Sequence, residues 1–138
     1  MTRRELPQRF GDTAPDAAHI EAIAAAAFAA IPDELRKNVT NVPIRVEEFP
    51  DEEILANLGI ESPFDLLGIY HGIDLTQKSI ADVPHGVDII VLYRRPILDF
   101  WVENDVVLGD LVRNVLIHEI GHHFGFSDQD MDALEQEA

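Results

Sequence analysis

The chain has 138 residues, no cysteine, and 26 acidic against 10 basic side chains, a formal net charge of −16. That length fits a single domain with one modest core, and the hydrophobic content of 46% fits a globular rather than a disordered chain. The charge opposes nucleic-acid backbones and anionic membranes, while the lack of cysteine excludes disulfides, thiolate zinc knuckles and cysteine nucleophiles and suits a cytoplasmic location.

Residues 1–15 read as a flexible leader, polar and without the apolar core of a signal peptide, so residues 16–138 are expected to form the domain. Asp16, just after Pro15, is a good N-cap for a helix. Ile20, Ile23, Ala24, Ala27, Phe28, Ile31 and Leu35 then follow helical spacing and form one apolar stripe. Pro32 interrupts that stripe and is placed to start a further helical turn. The stretch Ile20–Ile31 is too short to span a bilayer, and no other segment approaches membrane length.

Val42–Phe49 alternates apolar Val42, Ile44 and Val46 with Pro43, Arg45 and Glu47, the period of a half-buried strand. Pro43 puts that strand at an edge or at its own beginning. Pro50 to Glu53 reads as a turn into a short helix that ends at Leu58 before Gly59. Residues 59–86 are loop-rich, with a short strand at Leu66–Tyr70, and Val87–Tyr93 is an apolar run that fits a buried central strand. From Asp105 or Gly109 a long helix begins, apolar nearly all round through Val107, Leu108, Leu111, Val112, Val115, Leu116, Ile117 and Ile120, so it belongs in the middle of the fold. There is no internal repeat.

The chemistry sits at the end of that helix, in His118-Glu119-Ile120-Gly121-His122-His123-Phe124-Gly125-Phe126-Ser127-Asp128. Histidines four residues apart lie one above the other on one helix face and can share one zinc ion, Zn2+, at about 2.0–2.1 Å. Glu119 lies about 100° round from His118, beside the metal, where it can take a proton from a water that the metal activates. A catalytic zinc has three protein ligands and one open position. Gly125 can take a left-handed conformation, end the helix and turn the chain back, and Asp128 is then placed to offer the third ligand. His123, about 140° from His118, is not expected to share the metal.

The bare H-E-x-x-H arises by chance in roughly one such chain in fifty, and the glycine and aspartate at fixed offsets lower that to about one in ten thousand. The alternative role for Asp128, or for its neighbour Ser127, is to cap a short C-terminal helix whose inner face is Met131 and Leu134.

These residues resemble the minimal zincin-like metallopeptidases of bacteria. The resemblance is carried by Ile90-Val91-Leu92-Tyr93-Arg94-Arg95-Pro96, by His118 to Gly125, and by Leu67-Gly68-Ile69-Tyr70-His71-Gly72 with Leu75-Thr76. It covers most of residues 17–138 and leaves out the leader. It implies an α/β (α+β) zincin fold, a short mixed β-sheet packed on the active-site helix, with His118, His122 and Asp128 as zinc ligands and Glu119 as general base. Metzincins carry a methionine turn well beyond the third ligand. Met131 is too close to Asp128 to make one. Tyr70, Tyr93, His71 and His85 lie upstream as candidate oxyanion partners, each with an ordinary structural role as the alternative.

Two functional readings follow. The first is a zinc metallopeptidase with one zinc per chain, acting as a monomer on peptides or proteins. The second is a zincin-fold binding or regulatory module with structural zinc and little turnover. The second is favoured by small size, because no second subdomain walls a deep cleft and any groove should be shallow and open. Nucleic acid and membrane are not expected as partners. The acidic excess reads as a solvated surface, with selection of basic substrates as the sharper alternative.

Overall fold

The computed structural model describes residues 13–37, 39, 41–72 and 88–137. Residues 1–12 of the expected leader, together with Leu75, Thr76, His85 and Val87, lie outside the described residues. Asp16 caps the first helix, α1 (Ala17–Ala29), by accepting the His19 N–H at 2.8 Å. Pro32 stands at the N-cap of a short helix, α2 (Asp33–Arg36), so the proline restarts the helical path. The apolar stripe spans both helices: Ile20, Ala24, Ile31 and Leu35 are buried, and Ile23, Ala27 and Phe28 pack against them.

Strand β1 (Ile44–Glu47) follows Pro43 and alternates half-buried with exposed residues. Helix α3 (Glu52–Leu58) is capped by Asp51 and ends at Gly59, whose φ of 70° is the left-handed conformation that glycine adopts without strain. A 3-10 turn (Pro63–Asp65) leads into strand β2 (Gly68–His71). Strand β3 (Ile89–Tyr93) is buried at every position. The sheet order is β1-β3-β2, with β3 parallel to β1 and antiparallel to β2. The continuous apolar run thus sits in the centre, and Pro43 precedes an edge strand, as the sequence predicts. Ile90 and Leu92 join the main core, while Ile89, Val91 and Tyr93 form a second cluster on the other face with Leu66 and Ile69.

The strand passes without a loop into α4 (Arg94–Asn104), a helix the periodicity does not announce. Its N-cap, Tyr93, makes no side-chain cap bond, so the usual starting signal is missing. Tertiary contacts replace the cap. Glu48 accepts from the Arg95 N–H through its carbonyl at 3.1 Å and from Arg94 and Arg95 through its carboxylate. Pro96 lies in the first turn, where a helix leaves its N–H groups unpaired and a proline does no harm. Arg94 also donates to the Pro15 carbonyl at 2.7 Å, which ties the start of the described chain to the fold.

The long central helix is α5 (Leu108–His123). It packs against α1, α2, β2, α4 and the C-terminal helix α6 (Asp128–Glu137). Val112, Leu116, Ile117 and Ile120 are fully buried, each worth about 1.5–3 kcal/mol of hydrophobic burial. The result is an α+β fold in which a small mixed sheet packs on the helix that ends in the histidine motif. Among the described residues no helix is long and apolar enough to cross a membrane.

Candidate metal centre and active site

The end of α5 is a Schellman turn. The Phe126 N–H donates to the Gly121 carbonyl at 2.8 Å and the Gly125 N–H to the His122 carbonyl at 3.2 Å, with Gly125 at φ 80°. The chain therefore reverses where the sequence places the glycine. Helix α6 then starts with a capping box: Ser127 Oγ accepts the Asp130 N–H at 3.1 Å, and the Asp130 carboxylate accepts the Ser127 N–H at 3.3 Å. Ser127 is the cap, which leaves the Asp128 carboxylate available for another partner.

Met131 and Leu134, both buried, fasten α6 to the core. Gly121 makes the close approach possible, since a Cβ there would stand 2.8 Å from Met131 Cγ and overlap the Met131 sulfur. Helix α6 is thereby held across the end of α5, with its carboxylates facing the two histidines. His122 Nε2 lies 3.3 Å from Asp128 Oδ1, and His118 Nε2 lies 2.5 Å from Glu135 Oε1. The two imidazole rings are 6.1 Å apart between centroids and steeply inclined at 76°. Among the described residues, the group of three whose ligand atoms lie within 4.8 Å of one another is His118, Asp132 and Glu135.

The structure thus brings His118, His122 and Asp128 to one end of the domain, and adds Asp132 and Glu135, which the sequence reading did not include. Their signal was available, because Asp128, Asp132 and Glu135 follow at i, i+4 and i+7 on a helix whose inner face, Met131 and Leu134, is recognisable. Imidazole and carboxylate together suit a zinc ion. Glu135 Oε1 is buried and makes no hydrogen bond despite its closeness to His118, an oxygen that a cation would satisfy.

Glu119 points to another neighbour of α5, the edge of β2 that faces away from β3. There its carboxylate accepts a hydrogen bond from the Tyr70 N–H. Burial pushes the Glu119 carboxyl above its usual range, while His122, the Tyr70 N–H and His118 pull it down. A carboxylate so held is a proton acceptor fixed beside the histidines.

The remaining candidates are engaged elsewhere. The Tyr70 hydroxyl donates to Asp88 Oδ2 at 2.7 Å, and burial together with Asp88 raises its pKa. Its ring stacks on His123 at 4.0 Å, so His123 turns to the sheet and away from His118. Tyr93 is buried within the second cluster, and burial, reinforced by Glu47, Asp51 and Glu119, raises its hydroxyl pKa. His71 ends β2 half-buried.

A cavity of about 580 Å³ opens beside the motif. His118, Glu119 and Glu135 line it together with apolar Leu66, Leu67, Phe100, Val107 and Val115 and with the acids Asp65 and Asp110. This open recess adjoins Glu119.

Residues 39–138 match a family model described as zincin-like metallopeptidase. No curated protein matches the chain.

Proposed function

The chain belongs to the zincin-like metallopeptidase family, and from that premise we propose that it is a zinc-dependent peptidase whose general base is Glu119. His118 and His122 would hold the ion together with one carboxylate of α6, for which Asp128 occupies the position given by the motif. Zinc bound there supplies a Lewis acid that polarises a carbonyl and brings water towards deprotonation near neutral pH. Glu119 takes the proton from the attacking water and delivers it to the leaving amine. The burial that raises its pKa makes it a better acceptor than a free carboxylate, and the Tyr70 N–H keeps it oriented.

The observation that carries this reading is the shared cavity. Glu119 and His118 line one recess of about 580 Å³ whose floor is largely apolar, so a peptide can lie across the base with a side chain inside. A binding or regulatory module with structural zinc can use the same recess to hold a peptide, so turnover is what separates the two readings. The acids on the wall and the net charge of −16 favour uncharged or basic peptides over acidic ones.

The test combines zinc stoichiometry with cleavage of a peptide library by the wild type and by Glu119→Gln. The wild type should bind one zinc and cut, and Glu119→Gln should keep the zinc and stop cutting, because an amide cannot accept the proton. Stoichiometric zinc without cleavage by the wild type would establish the binding module instead. Loss of zinc in Glu119→Gln would make Glu119 a ligand rather than a base.

A further inference from the structure

The motif carries a third histidine, His123, that the metal reading leaves unused. Resting on the reading of Glu119 as the base, we propose that His123 is a positioning residue: stacked on Tyr70, it clamps strand β2 to the end of α5 and fixes the Tyr70 N–H against the Glu119 carboxylate. Helix geometry supplies the starting point. His118 and His122, four residues apart, meet carboxylates of α6, while Glu119 and His123, also four residues apart, meet β2. One pair addresses the ion site, and the other addresses a single residue of the strand, Tyr70.

The Tyr70 and His123 rings stack with centroids 4.0 Å apart and planes inclined by 24°. Phe124 closes the cluster edge-on, 4.9 Å from His123 and 5.8 Å from Tyr70. The far end of Tyr70 is fixed as well, since its hydroxyl donates to Asp88 Oδ2 at 2.7 Å, directly before β3. Its backbone stands opposite Ile90 in the sheet. Gly72 leaves the room that the stack needs. A Cβ there would lie 2.8 Å from His123 Cε1 and 3.3 Å from Asp88 Oδ1, so a larger residue would push the imidazole off the tyrosine.

The ring and the N–H belong to one residue, with two side-chain torsions between them, so a shift of the ring is felt at the N–H. That N–H in turn holds the Glu119 carboxylate. Strand β2 has a partner strand on one side only, so its distance from Glu119 is set by packing on α5, and at Tyr70 that packing includes the stack. The bland alternative gives the stack a share in stability and nothing more. His123 is exposed, which makes it a poor core residue and its removal tolerable for the fold. The two readings separate at the Tyr70 amide. A clamp makes its protection depend on His123 and Glu119 together, whereas plain packing does not.

The experiment is amide hydrogen exchange at Tyr70, read by NMR in the presence of zinc, on the wild type, His123→Ala, Glu119→Ala and the double variant, with the β3 amides as a control for general destabilisation. Each single variant should speed Tyr70 exchange by about tenfold or more and leave β3 unchanged, and the double variant should add no more than about twofold. His123→Phe, which keeps a ring to stack, should restore protection. In peptide cleavage, His123→Ala should keep the zinc, lose about 10- to 100-fold in kcat and hold KM within about twofold, again with rescue by His123→Phe. If His123→Ala does not fold, Gly72→Ala displaces the same ring and takes its place in the cycle. Wild-type exchange at Tyr70, or additive effects in the double variant, overturn the clamp. Coupled exchange with wild-type kcat overturns the positioning role. A wild type that cuts no peptide sinks the peptidase reading, and the exchange cycle still decides whether His123 fixes the Tyr70 N–H on Glu119.

Discussion

Gly121 is where the packing of the fold and the proposed metal centre meet, and its replacement by alanine tests the link. The added Cβ would lie 2.8 Å from Met131 Cγ and overlap the sulfur, against an ordinary carbon–carbon separation of about 3.5–4.0 Å. Met131 is fully buried, so it has no solvent to swing into, and α6 must retreat by about 1 Å. Overpacking of this kind costs about 1–3 kcal/mol, and alanine in place of glycine inside a helix returns about 1 kcal/mol. The net loss of stability is therefore small, about 0–2 kcal/mol, a few degrees in Tm. The effect on metal binding should be larger. Ligand distances tolerate only about 0.2 Å, and α6 carries Asp128, Asp132 and Glu135, so zinc affinity should fall by about 10- to 100-fold. Calorimetric zinc titration and thermal melting of Gly121→Ala measure the two effects side by side. Adding Met131→Ala removes the clash, so the double variant should regain part of the zinc affinity while losing stability, a coupling visible in a double-mutant cycle. Gly121→Ala with wild-type zinc affinity would refute the claim that helix docking sets the ligand geometry.

Three further outcomes follow from the same structure. Gly125→Ala should cost about 1–2 kcal/mol in denaturant unfolding, because φ 80° is a left-handed conformation that a Cβ disfavours, although nothing crowds the site; an unchanged midpoint would show that the turn adapts. Ser127→Ala should remove the cap of α6 and cost about 1 kcal/mol, with its effect on metal secondary to fraying of the first turn; a cost near zero would mean that the capping box is not maintained in solution. Zinc at about a hundred times its Kd should stabilise the chain by about 2.7 kcal/mol over the chelated form, since it clamps α5 to α6; identical melting with and without zinc would exclude a site between those helices.

Much of the site was legible in the sequence because it is local. The i, i+4 spacing of His118 and His122, the glutamate beside His118 and the glycine that ends the helix all act within a few residues, and helical geometry places them without help from the rest of the chain. The same holds for the Asp16 and Asp51 caps, the Gly59 stop, the alternating strand after Pro43 and the Met131–Leu134 face of α6. Each is set by backbone conformation or hydrophobic periodicity. Helix α4 was hidden because it starts without a polar cap and with a proline in its first turn. Its start is stabilised by Glu48, which lies 46 residues before Arg94 in the chain.

The tertiary structure alone decided which carboxylates face the histidines. Asp128, Asp132 and Glu135 are equally acidic in sequence, and a motif offset singles out Asp128 only as a position. With Met131 packed against Gly121, Glu135 meets His118, and Asp128, the more exposed of the two, meets His122. The same is true of the base. Glu119 holds the position that the motif gives to a general base, but its bond from the Tyr70 N–H comes from a strand some fifty residues away, brought alongside by packing of the sheet on α5. Residue type and spacing specify what a side chain can do. Burial and partners, which set its charge and its reach, arise only when distant segments close on one another.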